Sequence, residues 1–410
     1  MPKVDLSAFK PTRLTMSERE ISSSEAFVRI NNVIQTLGLR ARVRYVDDGN
    51  LVATAELYNE YNTLIESGAG KGPDALVGAL AESLEHYAMF HAEPPFCTTL
   101  GCSDIASQNG VESDGIFTSL QKNIEPLQCL QLAALDGCAG LFVPCALLYP
   151  VKDERKTTSQ PTRFLNRYAS NSGTAFGCTK SEALLHGTLE LIERHLLSRF
   201  FMAVCRLIPP IDLYSPSAPL LAQAMFNNSY ALRAAEALQI IIIKDESEVY
   251  LAVAFPRTGP GDRHISAIGS GCSLDIFIAI QRAVTEQFQS NALYDANDEI
   301  ADRKILDVVC QSEKLKQLID FAPVKNLKLN TLAPSKNLPA LSVPEQLALL
   351  RKNLSGMNKV LFFRTVMEYP GTNAVIQTYI PGLERFNIIR NGQPVAPQHI
   401  LLGTRSSPTA

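Results

Sequence analysis

The stretch "ASNSGTAFGCTKSEALLHGTLELIERHLLSR", Ala169 to Arg199, sets Glu182, His186, Glu190, Glu193 and Arg194 at helical spacing. With Glu182 as zero on a wheel of roughly 100° per residue, Glu193 falls at ~20°, His186 at ~40°, Glu190 at ~80° and Arg194 at ~120°. Leu184, Leu185, Leu189, Leu191, Ile192 and Leu196 take the other side. The polar face is thus a compact acid cluster. Like charges one turn apart repel by tenths of a kcal/mol per pair when solvated, and a divalent cation removes that penalty. Two further segments repeat the device. Glu82 and Glu85 sit one turn apart after Lys71 in "GAGKG", and Arg282, Glu286 and Gln289 share one face of a later helix. Carboxylates with Lys and Arg on three helices suit a triphosphate held through Mg2+, which takes carboxylate and phosphate oxygens while the cations neutralise the remaining charge. Helix N-termini after Gly/Ser loops would add N–H groups for anions.

Each feature alone has a plainer reading. A charged helix face is commonly just solvated, and "GAGKG" is not a Walker loop, because Gly72 and Pro73 follow Lys71 where that motif needs Ser or Thr. His86, His186 and His195 read as surface or packing residues, and Cys178 as a small filler.

The elements that must position these groups follow from the pattern. The chain has 410 residues, 46% apolar and 19% charged, with net charge -3, an ordinary globular balance with no basic stripe for nucleic acid. The apolar run "GLFVPCALLYPV" is too short to span a bilayer, and "MPKVDLSAFK" has no apolar signal region. Nine scattered cysteines without a C-x-x-C pair argue against a disulfide framework or a zinc site and fit a reducing cytoplasm. An amphipathic helix ends at Gly38, with Ser24 as its expected N-cap. "ARVRYVDD" and "LVATAELY" predict a hairpin, "LQCLQLAALDG" a short helix, and "GLFVPCALLYPV" a buried strand. "ALQIIIIKDESEVYLAVAFPR", "KVLFFRTVM" and "NAVIQTYI" predict further strands. No linker divides the chain. The pattern reads as one mixed α/β unit: residues 1–66 an N-terminal helix and hairpin, 67–295 the motif region, and 296–410 a C-terminal portion.

Three segments in order, "GAGKG…ALAESLEHY", "NSGTAFGCTKSEALLHGTLELIERH" and "AIGSGCS…AIQRAVTEQFQ", resemble the ATP-binding motifs of the YcaO superfamily. They span Gly68 to Gln289, and "IPGLERF" near the C-terminus is similar too. The resemblance implies β-sheets flanked by acid-bearing helices around a non-Walker ATP site. It implies Mg2+ on the pairs Glu82/Glu85 and Glu190/Glu193, and nucleotide contacts from Lys71, Ser172, Glu182, Arg194, Arg282, Glu286 and Gln289. Arg194 and Arg282 fall where they would offset charge on the transferred phosphoryl group, and Lys10 and Ser24 are looser candidates near the N-terminus. Three positions depart from the family pattern: His86 replaces an Arg, Asn171-Ser172-Gly173 stands where the family has Ser-Asn-Gly, and Cys178 replaces an Asn.

YcaO enzymes are similar in activating a peptide amide oxygen with ATP. The resemblance implies a cyclodehydratase that forms thiazoline or oxazoline rings from Cys, Ser or Thr in a ribosomal precursor peptide, as in microcin-like antibiotics. Because the first motif begins near residue 67, a separate leader-binding partner is expected, with a flavin-dependent dehydrogenase for oxidation to azoles. A homodimer or a larger complex is common in the family. The ending "GTRSSPTA" lacks the P-x-P-x-P tail of many azoline-forming members. That leaves a thioamide-forming enzyme with a TfuA-type partner, or a non-catalytic scaffold, as alternatives.

Overall fold

A computed structural model describes residues 18–91, 96–150, 159–226, 228–257, 265, 268–325, 327–334 and 341–403. Fourteen strands among them make three sheets. β1 (Arg40–Tyr45), β2 (Val52–Tyr58) and β3 (Leu64–Lys71) form an antiparallel meander whose first two strands are the predicted hairpin. The second sheet takes β4 (Thr98–Leu100), β5 (Leu127–Ala134), β6 (Leu141–Pro144), β7 (Thr174–Gly177), β13 (Phe362–Glu368) and β14 (Ala374–Tyr379). Its order is β4-β5-β13-β14-β7, with β6 also on β5. The third comprises β8 (Tyr214–Pro216), β9 (Leu238–Lys244), β10 (Tyr250–Pro256), β11 (Gly269–Ser273) and β12 (Asn330–Leu332) in the order β11-β10-β9-β8-β12.

β5 corrects one expectation. "LQCLQLAALDG" is not a helix: residues 127–134 form a strand, in which Leu130 to Ala134 alternate buried and exposed after the adjacent buried pair Cys129 and Leu130. The short apolar run reads either way until its partners are known.

One strand of each sheet runs straight into a helix bearing a sequence motif. β3 leads to the first motif helix, Ala75–His91; β7 to the second, Lys180–Val204; β11 to the third, Ile276–Ala292. The Gly/Ser segments before these helices, expected to be loops, are therefore largely strands. Their glycines allow close approach. A Cβ on Gly68 would lie 2.5 Å from the Ala79 carbonyl oxygen and the Ser83 nitrogen, and one on Gly271 would lie 2.5 Å from the Ala279 oxygen. Gly70, Gly177 and Gly269 meet the backbones of their following helices in the same way. Any larger residue would push strand and helix apart.

The helix starts differ from expectation as well. Ser22, not Ser24, caps the Ser23–Thr36 helix, accepting from the Glu25 N–H. The second motif helix is capped by the Thr179 hydroxyl and the third by the Asp275 carboxylate. The N-terminus of the third thus already faces a negative charge.

The second motif helix is buried on most of its circumference. Leu185, Leu189, Ile192, Leu196 and Phe200 enter the largest core, while Leu184 and Leu191 pack with Ile376 of β14. The first and third motif helices close smaller cores against their own sheets. All nine cysteines are free of disulfides, and no described helix is long and apolar enough to cross a membrane.

Candidate functional site

The three motif helices bring their polar faces together. Lys71, at the end of β3, forms an ion pair with Glu286 on the third helix, 215 residues on. Ser270 of β11 donates to Glu193 at 2.8 Å and reaches Glu286 at 3.4 Å. Arg194 lies 3.4 Å from Glu193 and 3.7 Å from Glu190. A continuous network therefore runs from β3 through the third helix to the second. Burial pushes the Glu286 carboxyl up, but Lys71 and Arg194 pull harder and hold it below its ordinary value. Burial works against the Arg194 charge too, and Glu193, Glu190 and Glu286 more than offset it.

The other side is not balanced. Burial and the nearby charges of Glu190 and Glu82 drive the Glu85 carboxyl well above its ordinary value. It accepts a hydrogen bond from the Phe176 N–H of β7, at 3.2 Å. Glu190, also raised by burial, accepts from the Gly173 N–H at 3.1 Å and is supported by Ser172 and Arg194. Glu82 accepts from the Ala69 N–H at 3.0 Å, and His86 stands 3.9 Å from its other oxygen. No cation other than Arg194 pairs with this group among the described residues.

Two candidates are already engaged by the fold. Both oxygens of buried Glu182 accept backbone N–H groups, from Glu20 at 2.5 Å and Cys178 at 3.0 Å. Arg282 pairs with buried Glu18 at 2.6 Å and donates to the Cys272 carbonyl at 3.1 Å. Gln289 lies half-buried one turn beyond Glu286. Ser24 is exposed with its hydroxyl against Ser22, and Lys10 and the "TRSSPTA" tail lie outside the described residues.

Glu18 and Ser270 were missed in the sequence. Glu18 sits in "SERE", where nothing local marks it, yet its carboxylate joins Arg282 to the Ser273 hydroxyl. Cys178 is a buried thiol held up at about 12, mainly by burial and by Glu182, so it is a filler as expected.

Among the described residues, no three of His, Cys, Asp and Glu gather closely enough to hold a metal alone. That suits Mg2+, which is commonly bound by one or two carboxylates with phosphate and water completing its shell. Glu85 is raised by burial and by the charges of Glu190 and Glu82 with no cation among the causes, so the donor set fits a hard divalent ion. Alongside Arg194 and Ser172 lies a narrow cleft, lined also by Ser170, Glu384 and Arg385.

The YcaO cyclodehydratase family, described as ATP- and Mg2+-binding, matches residues 68–384. The chain belongs to the YcaO family. A YcaO protein from Methanopyrus kandleri bound with AMPPCP and Mg2+ superposes with a TM-score of 0.59 at 17% identity, over 92% of this chain and 96% of that one. A heterocyclase in complex with substrate and cofactor gives 0.60 at 17% identity, over 92% of this chain; the chain spans 55% of that protein's length. The E. coli microcin synthetase McbBCD complex with pro-MccB17 bound gives 0.52 at 13% identity, covering 83% of this chain and 86% of that one. No curated protein matches the sequence. These likenesses establish the mixed α/β YcaO fold, and family membership carries the expected ATP and Mg2+.

Proposed function

We propose that this YcaO protein is an ATP-dependent cyclodehydratase acting on the backbone of a ribosomal precursor peptide. The observation that carries the reading is the Glu82, Glu85 and Glu190 carboxylate group, with Arg194 shared at one edge and Glu85 raised by its neighbours, beside the balanced Lys71–Glu286–Ser270–Glu193–Arg194 network. In this reading Glu82, Glu85, Glu190 and Glu193 hold Mg2+. Lys71, Ser172, Arg282, Glu286 and Gln289 face the nucleotide. Glu182 acts from behind by fixing the Cys178 turn and the chain at Glu20. Mg-ATP supplies the phosphoryl group that carries the amide oxygen away. Arg194, which touches both glutamates and lines the cleft, offsets negative charge gathering on that oxygen. The cleft orients a substrate Cys, Ser or Thr whose side chain adds to the preceding carbonyl. The net change in the peptide is loss of one water per ring.

A leader-binding partner and a flavin-dependent dehydrogenase complete the proposed pathway. The peptide-bound microcin synthetase complex supports the kind of assembly, by fold alone. A second reading of the same site has external sulfide as the nucleophile and a thioamide as the product.

Intact-mass spectrometry of a precursor peptide incubated with the protein, ATP, Mg2+ and its partner proteins tests both. Loss of water per modified residue supports the cyclodehydratase. A gain matching oxygen-to-sulfur exchange, dependent on a sulfur source, moves the protein to the thioamide class. An unmodified peptide together with no ATP binding returns it to a scaffold.

A further inference from the structure

His186 is a histidine that packing does not explain. It lies on the site face of the second motif helix, one turn from Glu182 and one from Glu190. Its Nδ1 is shut off from solvent and has no hydrogen-bond partner among the described residues. A buried polar atom left alone costs on the order of 1–3 kcal/mol, so such atoms are rare and call for a missing partner. Burial, and after it the charges of Arg282, Arg19 and Lys71, hold the ring neutral. All three are donors. No acceptor reaches Nδ1 among the described residues.

We infer that His186 is a polyphosphate-contacting residue of the nucleotide site, its buried Nδ1–H donating to a phosphate oxygen drawn in by Lys71, Arg19 and Arg282. The inference rests on the ATP-binding reading above and adds to it a neutral donor among the cations. A neutral imidazole suits that place. It gives a directed hydrogen bond without adding a fourth positive charge to a buried cluster in the nucleotide-free state. Glu182, one turn back, is held by backbone N–H groups on both its oxygens and makes no hydrogen bond to Nδ1.

The test compares His186→Leu, which fills the space without a donor, with His186→Asn, which restores an N–H near the position of Nδ1. Binding of Mg-ATP and of adenosine is measured by titration calorimetry, and melting is followed without and with Mg-ATP. We expect His186→Leu to weaken Mg-ATP roughly ten- to a hundredfold, the range for a hydrogen bond to a charged group. Adenosine binding stays within about twofold, the Asn variant recovers most of the loss, and the nucleotide-free Leu variant melts no lower than the parent. Unchanged Mg-ATP affinity in His186→Leu overturns the inference. Equal loss of adenosine and Mg-ATP, with a lower nucleotide-free melting temperature, also overturns it by assigning His186 a structural role. No Mg-ATP binding by the unchanged protein overturns the nucleotide reading and this inference with it, an outcome distinct from the other two.

Discussion

The two halves of the site treat the same kind of residue in opposite ways. Toward the third motif helix, Glu193 and Glu286 meet Ser270, Lys71 and Arg194, and Glu286 titrates below its ordinary value. Toward the first, half-buried Glu85 and Glu190 lie near one another and titrate above theirs. Both sets are glutamates on helices at one-turn spacing. The difference lies in what the neighbouring strand supplies. β3 and β11 offer Lys71 and Ser270, while β7 and its turn offer the Phe176 and Gly173 N–H groups and the Ser172 hydroxyl, and no cation, to Glu85 and Glu190. One half is compensated by the protein's own cations; in the proposed reading a metal completes the other.

The sharpest break in that comparison is Glu190→Gln against the unchanged protein. Losing a metal ligand should lower ATP-dependent peptide modification by on the order of a hundredfold or more, since a metal contributes several kcal/mol to the reaction. The metal-free variant should melt no lower than the parent, because a repelling charge has gone. A clear drop in melting temperature would move Glu190 to the compensated half.

Lys71→Ala probes the other half. It strands Glu286 beside Ser270 without its cation and should cost about 1–2 kcal/mol in denaturant unfolding, with Mg-ATP affinity falling as well. Stability equal to the parent would show that the pair contributes nothing.

A smaller effect separates the halves by pH. Glu85 and Glu190 have folded pKa values above their ordinary 4.5. Between the unfolded and folded values the folded chain binds more protons, so their contribution favours folding at low pH and is lost as pH rises. Metal-free protein should therefore lose stability on going from about pH 5 upward, and a Glu85→Gln, Glu190→Gln double variant should lose less. Glu286, lowered below its ordinary value, acts in the opposite sense, with stability lost only as pH falls. Parallel pH profiles for parent and double variant would erase the distinction. The least effect is expected of Cys178→Ser: the thiol packs, its backbone carries the contacts to Glu182, Arg29 and Thr372, and ATP use should stay within about twofold. A tenfold loss in an ATPase assay would give the thiol a role.

The sequence carried the face of each motif helix, because 3.6-residue periodicity places Glu190, Glu193 and Arg194 together without help from the rest of the chain. It could not say which acids keep a free charge. That is decided by partners hundreds of positions away, such as Lys71 for Glu286, or Glu18 for Arg282 across the whole motif region. The Gly/Ser segments misled for a related reason. Small residues read as loops locally, but here a strand needs them to lie against a helix. β5 failed through ambiguity, since eight apolar-rich residues fit a helix or a strand until Thr98–Leu100 and Leu141–Pro144 pair on either side.

The glycines of β3, β7 and β11 have a further consequence. They seat each motif helix on a strand main chain against main chain, at Gly68, Gly70, Gly177, Gly269 and Gly271. The height of each carboxylate over its sheet is then set by atoms common to all amino acids, and the side chains that fill the cores behind the helices have little say in it. Leucines and valines there can be exchanged for one another over long evolutionary times with little displacement of the acids, whereas a single methyl group on one of five glycines would move a whole bank of them at once.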